Sequence, residues 1–177
     1  MENKLTSELS KVDGLTFETL KVSWDCKDFS IKNIEYQSEN ILSDARCKVL
    51  NITGLGRWLF IRHKKIAIEN LHVKNVKLSF LDQPDRPTET ESTQHITPAV
   101  FIEKFQFEDV DIDFENKVKT KLKLEKSDGS IYQIAYSGEK NAKIGYKNFD
   151  FQNKGGALQN AKNHYRTTWE SVDYDDS

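Results

Sequence analysis

The residues of this 177-residue chain able to do chemistry are four histidines, two cysteines and a surplus of acids. His63, His72, His95 and His164 fall in four separate stretches, and none lies in a recognisable nucleophile–base motif, so acyl transfer has no visible triad. Zinc needs histidines or cysteines at short spacing, and no such pair occurs. Cys26 and Cys47 sit on neighbouring predicted strands, where they are either one disulfide of an oxidising compartment or two buried thiols. Asp109, Asp111 and Asp113 look like a calcium loop, but Val110, Ile112 and Phe114 alternate with them. That alternation places carboxylates along one side of a strand, facing Lys119, Lys121 and Lys123 of the next, and predicts charge pairing in place of ion binding. Gly54 and Gly56 lack the third glycine, the Lys-Ser or Lys-Thr and the following helix of a phosphate loop. These readings predict a binding or structural protein: no enzyme, no cofactor and no metal.

What must position any site is a repeat. Ile66, Ile68, Leu71, Val73, Val76, Leu78 and Phe80 align with Val100, Ile102, Phe105, Phe107, Val110, Ile112 and Phe114, and Glu69 aligns with Glu103. The unit, apolar residues at i, i+2, i+5 and i+7, recurs at Leu15–Val22, Phe29–Tyr36 and Ile144–Phe151. On a helix those positions scatter around the wheel. On a strand the extra residue before i+5 reverses the facing unless a bulge or a break absorbs it. Asn33, Asn70 and Asn148 stand in that gap, and asparagine tolerates irregular backbone. The pattern predicts bulged or broken strands that keep one face apolar. The spacing also brings to mind pentapeptide solenoids, but these stack small residues where Ile66, Leu71 and Val76 stand.

Composition limits the rest. The chain is 37% hydrophobic and 31% charged, with a net charge of −2, which argues against nucleic acid as a partner. No run approaches the length needed to span a bilayer, and the start lacks the apolar core of a signal peptide. The expected location is therefore cytoplasmic, or periplasmic and envelope-associated if Met1 follows a removed anchor.

In chain order, residues 1–152 are expected to form a single β domain, with a short helix over 5–13 ending at Gly14. LTFETLKVSW and FSIKNIEY are the first two strands, joined by a hairpin at Asp25–Asp28, and Ala45–Ile52 is a third. Trp58, Phe60, Arg62, Lys64 and Lys65 form an apolar cluster closed by basic residues, read as a wet turn or as a contact with anionic headgroups. Residues 81–98 hold all three prolines and are expected to be a surface loop. Lys126–Ser130, with Asp-Gly, is expected to be a hairpin turn. Residues 153–177 are expected to be a polar, partly disordered tail, with a short helix starting at Ala157–Ala161.

The LxxxL stretch before Gly14, DARCKVLNI with the apolar segment GLGRWLFI, then KKIAIENLHVKNVKLSF and the return with VFIEKFQFEDVDIDFEN resemble the AsmA-like and TamB-like envelope proteins over residues 5–125. The resemblance implies a long sheet curled into a groove, apolar inside, along which lipid acyl chains lie or pass. Lining residues would be Ile68, Leu71, Val73, Val76, Leu78, Ile102, Phe105, Phe107, Val110 and Ile112. The membrane anchor and much greater length usual in that family are not seen here. The expected fold is thus all-β, mainly antiparallel and groove-like, with a β-sandwich as the alternative. The expected function is lipid binding or transfer. Its rivals are a sandwich or barrel that meets a protein partner through a sheet edge or through loop 81–98, and a lipocalin-like carrier of a small apolar ligand.

Overall fold

A computed structural model describes residues 2–38, 42–56, 65–81, 98–116, 119–138, 143–160 and 165–176. One short helix, α1 (Glu2–Leu9), precedes eleven strands: β1 (Leu15–Thr16), β2 (Thr19–Val22), β3 (Phe29–Gln37), β4 (Leu42–Thr53), β5 (Lys65–Leu81), β6 (Ala99–Glu115), β7 (Thr120–Tyr136), β8 (Asn148–Asn153), β9 (Gly156–Asn160), β10 (Tyr165–Trp169) and β11 (Val172–Asp175). They form one open mixed sheet in the order β1-β3-β4-β5-β6-β7-β8-β11, with β2 also on β3, and β9 between β7 and β10. The fold is all-β and curled, as the sequence predicts. The alternative β-sandwich is not found. Among the described residues the substantial contacts between elements run between hydrogen-bonded neighbours, apart from α1 against β2, so no second layer packs on the sheet.

The repeat explains the one parallel pairing among the described strands. β5 and β6 run parallel, and each residue faces its repeat counterpart: Ile66 pairs with Val100, Leu71 with Phe105, Val76 with Val110 and Phe80 with Phe114. The alignment of the two sequence units is therefore the register itself. A parallel pair needs a crossover; residues 82–97, which carry most of the expected loop, lie outside the described ones.

The irregular spacing is absorbed by left-handed residues that line up across the sheet, with register-shifting bulges where β6 meets β7. Asn33, Asn75, Asp109 and Lys126 adopt φ of 49°, 50°, 55° and 50° on β3, β5, β6 and β7. In the ladders Lys48 is skipped opposite Asn33 and Asn75. A second line runs through Glu69, Glu103 and Gln133, each skipped in its ladder, with Gln133 at φ 54°. Among residues other than glycine, positive φ is tolerated best by Asn and Asp, which suits three of the four positions in the first line. The sequence locates this gap correctly at Asn33. Asn70 and Asn148 keep extended backbone, and Asn75 and Asp109 take the bend.

Bulging frees backbone N–H groups, and polar side chains take them up. Asp109 N donates to Asp128 Oδ1 at 2.7 Å, and Lys126 N to Asp111 Oδ1 at 3.0 Å. Asn75 donates to Asp109, and Asn33 to Glu18. Of the acids that resembled a calcium loop, Asp111 thus accepts a backbone N–H of the neighbouring strand and Asp109 accepts the Asn75 amide. Charge pairing appears as expected between Lys121 and Glu115, at 2.9 Å, whereas Lys123 turns to Glu125 at 2.6 Å.

Several local expectations are corrected. The helix spans Glu2–Leu9: Ser10 N–H makes the last i→i−4 bond, to Thr6 O, after which Lys11 and Val12 tighten to i→i−3 bonds with Glu8 O and Leu9 O, and the turn leads to Gly14 (φ 74°), where a Cβ would lie 1.9 Å from Gln37 O. The first strand splits into β1 and β2 opposite the Asn33 bulge. Asp128-Gly129 is no turn, since β7 runs straight through it. There Asp128 serves Asp109 and Lys154, and Gly129 leaves room for the Phe107 ring, whose Cζ would lie 2.6 Å from an added Cβ. The polar stretch expected to be a partly disordered tail supplies β9, β10 and β11, and the segment expected to start a helix at Ala157 is strand β9. Cys26 and Cys47 are not joined in a disulfide.

Candidate functional site

Register decides which side chains share a face, and it places all ten expected lining residues together as five parallel pairs: Ile68 with Ile102, Leu71 with Phe105, Val73 with Phe107, Val76 with Val110, and Leu78 with Ile112. Neighbouring strands extend the face in the same rows. Leu71 and Phe105 continue through Ile52 and Phe29 on one side and through Ile131 and Phe149 on the other. Val73 and Phe107 continue through Leu50, Ile31 and Leu20, and across Gly129 to Phe151 and Tyr174. The sequence signal for these flanking residues is the same spacing, which β7 also follows at Leu122, Leu124, Ser127, Gly129 and Ile131.

Aromatic rings tie the C-terminal half of the face together. Phe105 and Phe107 lie 5.8 Å apart, Phe107 reaches over Gly129 to Phe151 at 6.4 Å, and Phe149 stands 5.8 Å from Phe151 and 5.9 Å from Tyr174. Tyr146, 59% exposed, touches Phe149 at 6.4 Å and carries the apolar surface toward the end of the sheet where Trp24 is 96% exposed.

Burial is the telling property. Among the described apolar residues only Cys26, Val76 and Val110 are buried, at 6 to 7% exposure. The other eight expected lining residues are half-buried although they lie in the middle strands. A sandwich core at such positions would be sealed by the facing sheet. Here the described chain leaves that side open.

The face is bounded toward β9 and β10 by a polar knot. Asn153, fully buried, donates to Glu125 O at 2.8 Å and Ser127 Oγ at 3.1 Å, and accepts from Trp169 Nε1 at 2.6 Å. The Trp169 ring fills the space over Gly156, 2.4 Å from where a Cβ would stand.

On the opposite, polar side two shallow depressions of about 370 and 440 Å3 follow the bulges and the far end of the strands. Outside these depressions that side of the sheet carries ion pairs. Lys74 Nζ meets Glu108 Oε2 at 2.8 Å, which holds the Glu108 carboxyl below its usual range and raises the Lys74 ammonium. His72 Nε2 lies 3.2 Å from Glu108 Oε1 but out of line for a hydrogen bond. Burial works against the Asp128 carboxylate, yet Lys154 at 2.7 Å and the Asp109 amide bring its pKa below the ordinary value. Burial pushes the Cys47 thiol up, away from the reactive thiolate. The amides of Gly54, Leu55 and Gly56 are bonded to Asp28 Oδ1, Lys27 O and Ala67 O, so they do not form an anion cradle. Among the described residues no group of three or more metal-ligating side chains converges, and no helix is long and apolar enough to cross a membrane.

Of the expected headgroup contacts, Lys65 opens β5 and is exposed; Trp58, Phe60, Arg62 and Lys64 lie outside the described residues, as do His63, His95 and His164. No family model matches this chain, and no curated protein matches it in sequence.

Proposed function

We propose that this protein is a non-catalytic lipid-binding or lipid-transfer domain of AsmA-like character, with acyl chains lying along the apolar face of the sheet. One observation carries the reading: a continuous apolar face crosses the strands and stays half-exposed, with no second layer against it among the described residues. Apolar area left in water costs about 25 cal/mol per Å2, so a broad unsealed face needs an occupant. Acyl chains suit it because its lining is aliphatic and aromatic, with Ser127 and Asn153 bonded to protein partners at its margin. A lipocalin-like carrier requires a closed barrel, and this sheet is open. Location at an envelope or membrane belongs to the same proposal.

Organic extraction of the purified protein followed by mass spectrometry tests it. Co-purifying diacyl lipids, lost in Leu71→Asp and Phe105→Asp variants that keep the strand spectrum of the parent, are the expected result. Absence of lipid from the parent even after incubation with vesicles would overturn the proposal, and one discrete small ligand would favour a carrier instead.

A further inference from the structure

An open sheet has two edges, and here they are finished differently. At the N-terminal edge β2 turns the Val22 N–H outward, and Glu2 of α1 accepts it at 2.9 Å. Leu5 and Leu9 of that helix are half-buried, and its substantial contacts are with β2. A helix over an edge is one way in which sheets avoid pairing with other chains.

No described residue covers the C-terminal edge in this way. Among the described residues β11 pairs only with β8 and β10 only with β9, and every residue of β11 is exposed. Asp176 N donates to Phe149 O at 3.1 Å, which fixes the phase of the ladder. Alternation then turns the backbone N–H and C=O groups of Asp173 and Asp175 outward. Val172 and Tyr174 share the apolar face, with Tyr174 against Phe149, and Asp173 and Asp175 take the polar one. Asp173, Asp175 and Asp176 have no ion-pair partner among the described residues.

We infer that the β11 edge receives an extended basic segment of a partner protein as an added strand. Its main chain bonds to Asp173 and Asp175, lysines or arginines stand opposite their carboxylates, and apolar residues lie beside Val172 and Tyr174. Strand addition draws affinity from main-chain hydrogen bonds and specificity from alternate side chains. A second copy of β11 is the wrong occupant, because its acids would face these acids.

Three capped seven-residue peptides test this on the full chain: one alternating lysine with valine and tyrosine, its glutamate counterpart, and an N-methylated lysine version that cannot pair along its backbone. The readout is amide hydrogen exchange by NMR. Only the lysine peptide is expected to slow exchange at Asp173 and Asp175, by roughly tenfold or more at saturation. Asp173→Lys with Asp175→Lys should transfer the preference to the glutamate peptide. Asp173→Pro, which removes an outward N–H and no bond to β8, should weaken binding of the lysine peptide. Equal binding of the N-methylated peptide, protection away from β11, or concentration-dependent protection of these amides by the protein alone would each overturn the inference.

Discussion

One row of the sheet is built in two ways. Across β4, β5 and β6 it consists of Cys47, Val76 and Val110, side by side, where the one polar contact is the Cys47 thiol donating to backbone carbonyls of Val49 and Lys74. Across β7 and β8 the same row consists of Ser127 and Asn153, buried and hydrogen-bonded to each other, to Glu125 O and to Trp169. The apolar half is non-directional and continues into half-exposed rows above and below it. The polar half fixes one geometry, since each of its groups is satisfied only when strands distant in sequence are in register. The contrast teaches that the sheet, in its described residues, divides in two: the knot holds the C-terminal strands in place, and the apolar rows stay half-exposed.

The largest effect should come from breaking the knot. Asn153→Ala strands the half-buried Trp169 Nε1 and the buried Ser127 Oγ and should cost about 3 kcal/mol, read as a fall in the urea midpoint. Val110→Ala, on the other side of the same row, should cost about 2 kcal/mol. Ile68→Ala, chemically similar but half-exposed, should cost about 1 kcal/mol or less. If Ile68 proves as costly as Val110, that row is sealed in solution and the contrast between closed and open rows fails.

Much of this contrast is legible in the sequence. The apolar spacing of Ile66–Phe80 and Val100–Phe114 gives the face, the need for bulges and, through its alignment, the register of β5 on β6. The spacing does not give direction, because in-register repeats suit a parallel pair and hydrophobic alternation alone does not distinguish it from an antiparallel one. The C-terminal strands are hidden for another reason. Asn153, Gly155, Gly156 and Asn160 have the composition of a loop, and what makes them strand is contact with Trp169, Ser127 and Thr120, 13 to 40 residues away. Asp128-Gly129 misleads in the same way: locally it signals a turn, and only the Phe107 ring and the Asp109 amide show why it is extended.

The smallest effect concerns acid. Asp128 has its folded pKa lowered, so its contribution is present above the ordinary aspartate value of about 3.9 and is lost as the pH falls through the lowered one. Glu108, held down by Lys74, acts with the same sign over the glutamate range. Asp128→Asn should therefore flatten the acid limb of the stability curve while leaving its shape above neutral pH unchanged. An unchanged acid limb would show that the bulge at Asp109 is not supported by this carboxylate.

The central claim is that the open apolar rows take acyl chains. Photolabelling with a diazirine-bearing phospholipid, followed by peptide mapping, tests it most directly. The account predicts adducts on Val73, Phe107, Ile131 and their row neighbours, lost in the Phe105→Asp variant. Adducts confined to the polar side or to the chain termini, or none in a folded protein mixed with labelled vesicles, would contradict it.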